Sequence, residues 1–89
     1  MEDSLEKTGT YQVTSSCGYV VELKQGRIVL YRDEFGEVAI GHSWLGNPPG
    51  MSLHPSTLSA LGLDRMRVEL ITDRAMRALQ ELGYYVELF

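Results

Sequence analysis

The chain contains one cysteine, Cys17, among 89 residues. An internal disulfide is therefore excluded. So is a zinc site of the common type, built on Cys-x-x-Cys or His-x-x-x-His pairs. Proline is also scarce, and all three copies, Pro48, Pro49 and Pro55, fall in one segment. No apolar run approaches the roughly 18–20 residues that span a bilayer. The N-terminus, Met-Glu-Asp-Ser-Leu-Glu-Lys, is acidic and has no apolar stretch of the secretory type. The expected setting is reducing and cytoplasmic, away from any membrane. A phosphate-cradling loop is also missing. Gly41 and Gly46 lack Gly-x-Gly spacing, and no Lys-Ser/Thr follows them. Positive charge is in deficit: 8 Lys and Arg face 12 Asp and Glu, a formal net charge of −4. Nucleic-acid-binding domains are normally basic, which makes nucleic acid the disfavoured partner.

What is present describes an ordinary folded domain. The chain is 44% hydrophobic and 22% charged, which argues against disorder of the whole. Its length supports one domain with a modest core, and pairing with a second copy would add buried area. Residues 1–9 lack periodicity and read as a flexible N-terminal tail. Residues 10–89 read as a single α+β domain.

Within that domain the pattern opens with β-formers. Tyr11 to Ser15, Tyr19 to Lys24, Arg27 to Arg32 and Glu37 to Ile40 alternate or run apolar as strands do. Gly18, Gln25-Gly26 and Asp33-Glu-Phe-Gly36 punctuate them as turns. Four short strands joined in this way form an antiparallel meander. Pro55 to Leu61 then reads as a short helix, with proline in its first turn and Gly62 behind it. Met66 to Ile71 alternates Met66, Val68 and Leu70 against Arg67 and Glu69, which predicts a strand. Asp73 to Leu82 has 3.6-residue apolar spacing, capped by Thr72 or Asp73 and stopped by Gly83. Tyr84 to Phe89 predicts a final strand. The expected fold is α+β: a four-strand antiparallel β-meander, a short helix, a strand, a second helix and a C-terminal strand.

Gly41 to Pro55 breaks the β pattern and reads as a loop. It holds both histidines, His42 and His54, and the only tryptophan, Trp44. Loops on rigid scaffolds carry a large share of binding and catalytic residues. Trp44 is either the plug that seats this loop on the sheet or an anchor for a partner. Asn47-Pro48-Pro49-Gly50 would stiffen the loop for recognition.

The chemistry-bearing residues do not assemble into a known centre. Cys17, His42 and His54 are the only thiol and imidazole groups, and a metal site would need a carboxylate such as Asp33. No metal and no cofactor is expected. Cys17 lacks the helix N-terminus that would activate a thiol, so it reads as a small, half-buried turn residue. Asp33-Glu34 reads as a solvated turn pair. Arg65, Arg67, Arg74 and Arg77 form the only basic concentration. They supply either a patch for phosphate or a solvated face paired with Asp64, Glu69, Asp73 and Glu81. Tyr84 and Tyr85 alternate across the last strand. One of them, with Phe89 on the side of Tyr85, is left for another chain.

Leu53-His-Pro-Ser-Thr-Leu-Ser-Ala-Leu-Gly-Leu-Asp-Arg-Met-Arg-Val-Glu-Leu70 looks in part like the Leu-Pro…Leu-Gly…strand segment of swapped-hairpin transcription factors of the AbrB type. Two features depart from it. The Pro to Leu-Gly spacing is one residue short, and Asp64-Arg65 stands where a Gly-Asp turn belongs. The resemblance would imply an intertwined DNA-binding dimer, but these departures keep it from assigning a family.

Three functions follow as expectations. The first is a small non-catalytic protein–protein interaction module of regulatory, inhibitor or immunity type. It would act through the 41–55 loop and the C-terminal strand, with His42, Trp44, Asn47, Tyr85 and Phe89 in contact with the partner. A homodimer is compatible with it. The second is a dimeric nucleic-acid-binding regulator using Arg65, Arg67, Arg74 and Arg77. The third is a small enzyme using His42 or His54.

Overall fold

The computed structural model describes residues 4–24, 28–45 and 50–88. Its elements run β1 (Leu5–Gly9), β2 (Gln12–Ser15), β3 (Val20–Lys24), β4 (Ile28–Asp33), β5 (Gly36–Leu45), β6 (Gly50–His54), α1 (Ser56–Ala60), α2 (Arg65–Glu81) and β7 (Tyr85–Leu88). The α+β class and the opening meander are as expected. The strands form one curled, mixed sheet in chain order from β1 to β7. Every neighbouring pair is antiparallel except β6 and β7, which run parallel across the helical crossover.

Three expectations are corrected. Leu5–Gly9, assigned to the tail, is strand β1, paired with β2 from Leu5↔Ser15 to Gly9↔Gln12. Ser4 is tied in as well, since its N–H donates to Ser16 Oγ at 3.0 Å and its carbonyl accepts from Ser16 N. The 41–55 loop is largely a hairpin: Gly41 to Leu45 pair with Gly50 to His54. β5 is long because its first half pairs with β4 and its second half with β6. The change of partner falls at Gly41. Its N–H donates to Thr57 Oγ1 at 2.9 Å, and that hydroxyl donates to the His54 carbonyl at 2.7 Å. The expected turn at Gln25-Gly26 and the Asn47-Pro48-Pro49 corner lie outside the described residues.

The third correction is the largest. Met66 to Ile71 is not a strand but the first third of α2, a helix of 17 residues. Asp64 caps it, in place of Thr72 or Asp73. The Asp64 side chain accepts from Arg67 N at 2.8 Å, and Val68 N–H donates to the Asp64 carbonyl. The alternation of six residues was outweighed by a longer period. Val68, Ile71, Thr72, Ala75, Ala78 and Leu79 are buried, at the spacing of one helical face. At the far end Gly83 takes a φ of 98°, Gly83 N–H returns to the Gln80 carbonyl and Tyr84 N–H to the Leu79 carbonyl. That is a Schellman closure, which needs a residue without Cβ penalty. The segment that looked in part like a swapped-hairpin regulator is thus the end of β6, then α1, a turn and the start of α2.

The core lies between α2 and the concave side of the sheet. Val13, Val21, Tyr31, Leu23, Val29 and Ile40 line the meander, and Met51, Leu53 and Val86 continue it through β6 and β7. Leu58 of α1 plugs the crossover. Gly50 stands opposite Tyr85 in the parallel pair, and a Cβ there would run into the Tyr85 backbone carbonyl. Gly50→Ala is therefore expected to cost about 1–3 kcal/mol through overpacking. Urea unfolding reads that loss, and faster amide exchange confined first to β7 would locate it.

Candidate functional site

Pleating sets His42 and His54 on opposite faces of the β5–β6 hairpin. Gly41 pairs with His54, whereas His42 pairs with Leu53. The His42 ring meets Trp44 edge-on at 5.6 Å, and Trp44 meets Tyr84 at 5.8 Å. Trp44 remains 48% exposed, so it is half plug and half surface. Burial holds His42 below the ordinary imidazole value, against a hydrogen bond to Ile40 and with help from His54. His54 Nε2 lies 2.9 Å from Ser43 Oγ on an exposed strand surface. A hydroxyl beside an imidazole is the start of a nucleophilic pair, but neither residue lines the cavities described below. Among the described residues no three His, Cys, Asp or Glu side chains gather at a metal-sized site.

Tyr85 and Leu88 are exposed on β7, the last strand of the sheet, while Tyr84 turns toward the core. Asn47 and Phe89 lie outside the described residues. The four arginines do not act as one patch. Arg65 pairs with Glu69 at 3.1 Å and Arg77 with Asp73 at 3.1 Å, both on the exposed side of α2. Arg67 and Arg74 instead turn toward the sheet.

There they build a network that sequence reasoning missed. Asp33 is not a solvated turn residue, because its side chain is 5% exposed. Arg67 Nη2 bridges both of its oxygens, at 2.6 and 2.7 Å. Tyr31 Oη donates to Asp33 Oδ2 at 2.7 Å, and Phe35 N–H donates to Oδ1 at 2.9 Å. Arg74 Nη1 donates to Tyr31 Oη at 2.8 Å, and its guanidinium lies 4.6 Å from the centre of the Tyr19 ring. Tyr19 and Tyr31 stack at 5.7 Å. Burial raises the Asp33 carboxyl, but the bonds from Tyr31, Arg67 and Phe35 outweigh it and leave it below its ordinary value. Burial and the bond to Asp33 raise the Tyr31 phenol, which stays neutral.

The network borders a cavity of about 370 Å³ lined by Cys17, Gly18, Phe35, Leu70 and four charged residues, Asp33, Glu34, Arg67 and Arg74. Cys17 is exposed here, not half-buried. A shallower depression of about 490 Å³ adjoins it, lined by Phe35, Asp64, Met66, Arg67 and Leu70. Phe35 is 78% exposed and Met66 83%. The Arg67 guanidinium lies 5.1 Å from the centre of the Phe35 ring, so the cation and the aromatic group present one surface. The only sequence signal for this surface was an apolar residue placed in a turn, Phe35, where turn chemistry does not ask for one.

A third cavity, about 210 Å³, opens between α2, Pro55 and Leu88. Thr72 lines it, and the Thr72 hydroxyl is buried with no hydrogen-bond partner among the described residues. Comparison of the chain with protein-family models, with curated proteins and with solved structures finds no match in any of the three.

Proposed function

We propose that this domain is a non-catalytic protein-binding module. It docks another protein through the face made by Phe35, Met66, Leu70 and Arg67. One observation carries the reading: two large apolar side chains, 78% and 83% exposed, share a depression with an arginine that is already fixed in place. Exposed apolar surface rimmed by polar groups marks contact sites, and aromatic and arginine anchors dominate binding energy at such sites. The Asp33 network beneath holds Arg67 before any partner arrives, which lowers the entropy cost of docking.

The test starts from the immobilised full chain. A captured protein is identified, purified and titrated back. The expected result is a defined complex that Phe35→Ser with Met66→Ser weakens by about thirtyfold or more, as an anchor worth about 2 kcal/mol requires. Both residues are exposed, so folding should be unaffected. Unchanged affinity in the double variant, or no purified protein that binds back, would refute the assignment.

A second surface supports the same class of function. β7 is the last strand of the sheet, and Tyr85 and Leu88 are exposed on it beside half-exposed Trp44. An open strand edge of this kind suits addition of a strand from a second copy. Light scattering of the wild type against Tyr85→Ser with Leu88→Ser reads it. A dimer lost in the variant is the expected outcome, and equal masses would count against the edge.

A further inference from the structure

We propose that the cavity lined by Arg67 and Arg74 is a receptor for one carboxylate, carried by an acidic side chain of the protein bound at the Phe35 face. The inference rests on the protein-binding reading and names the group recognised.

Two guanidinium groups, Arg67 and Arg74, face this cavity with one buried carboxylate, Asp33. Arg67 neutralises Asp33. Arg74 has no carboxylate partner among the described residues. Its contacts are the neutral Tyr31 hydroxyl and the face of the Tyr19 ring. Glu34 also lines the cavity, is exposed, and makes no ion pair among the described residues. The hydrogen-bonded cluster of Asp33, Tyr31, Arg67 and Arg74 therefore carries one positive charge in excess, and the exposed Glu34 is the remaining charged residue of the lining.

Geometry narrows the class. The Tyr31 hydroxyl donates to Asp33 and accepts from Arg74, which fixes the Arg74 guanidinium at one nitrogen and leaves its remaining N–H groups available. A planar guanidinium held in this way suits a planar carboxylate. A single excess positive charge matches a monoanion. A phosphate dianion would bring surplus negative charge beside the buried Asp33. Phe35 and Leu70 wall the entrance, so the acidic group would arrive flanked by apolar side chains.

The test is a titration of the isotope-labelled full chain at low salt, read by nuclear magnetic resonance at arginine Nε–H groups and backbone amides. The probe is N-acetyl-aspartic acid α-amide, which carries one carboxylate. Sodium chloride and inorganic phosphate are the comparison arms. Saturable shifts at Arg74 Nε–H and the Gly18 amide are expected with the carboxylate, with Arg65 and Arg77 unmoved and chloride without effect. Arg74→Gln should weaken the response at Gly18 by about tenfold or more. A linear drift shared by all arginines would overturn the site, and tighter binding of phosphate would overturn its chemistry. Should Arg74→Gln not fold, saturation or drift in the wild type still decides. Met66→Ser alone, at a residue that lines only the adjoining depression, should leave the titration intact. A chain that binds the probe but no protein would sink the earlier reading alone. A protein complex with no carboxylate response would sink this one alone.

Discussion

Asp33→Ala is expected to remove about 3–5 kcal/mol of folding free energy at neutral pH. The alanine leaves the Arg67 guanidinium, the Tyr31 hydroxyl and the Phe35 N–H without the acceptor that now serves all three. The side chain is 5% exposed, so water replaces that acceptor poorly. The loss is a large share of the 5–15 kcal/mol that typically holds a domain together. Removing the charge on both sides should hurt less. Asp33→Ala with Arg67→Met is expected to recover part of the loss, because an apolar pair strands no charge.

The acid limb gives the same group a second signature. Its folded value lies below the ordinary carboxylate value, so the unfolded chain binds more protons between the two. The contribution of Asp33 is therefore fully present above pH about 4 and is lost as pH falls through the folded value. Urea unfolding across that range should show the wild type and the Asp33→Ala chain converging in acid. A constant gap between them at all pH values, or a loss under 1 kcal/mol at neutral pH, would show that the carboxylate is not held as the structure has it.

Ile71→Ala should cost about 2–5 kcal/mol, whereas Leu70→Ala should cost little. The contrast separates two readings of one segment. In the alternating strand, Leu70 would share the face of Met66 and Val68, and Ile71 would share that of Arg67 and Glu69. In α2 the roles are reversed: Ile71 is fully buried against the sheet and Leu70 is 41% exposed at the rim of the binding face. Alanine is also the best helix former, so at Leu70 the loss of contact is offset by propensity. Thermal unfolding of the two single variants is sufficient. Equal destabilisation, or a larger loss at Leu70, would exclude the helical register.

The difference between sequence and structure has physical causes at particular residues. β2, β3, β4 and the first half of β5 were legible because alternation and turn residues act over neighbours in the chain. The hairpin at β5 and β6 was not, because Gly41, Gly50 and the prolines weaken the local β signal. It is cross-strand pairing and the packing of Met51 and Leu53 that make it sheet. Met66 to Ile71 satisfied period 2 by accident of composition, and only a 17-residue window shows the helical face. Trp44 and Tyr85 were visible as candidates from sequence alone. The site built on Arg67 was not, since its key bond joins residues 34 apart in the chain.

By itself, the sequence determined the class of object: a small, acidic α+β domain that opens with a meander and carries most of its apolar residues at strand or helix spacing. Those properties are local, and propensity and periodicity encode them. Only the tertiary structure decided which charges are buried and which apolar groups are left outside. Asp33 became the acceptor of a buried-side ion pair because α2 brings Arg67 to the β4–β5 turn, and Phe35 and Met66 became a surface because the same approach sets them around one depression. Burial depends on what the rest of the chain places against a residue, and no local pattern contains that.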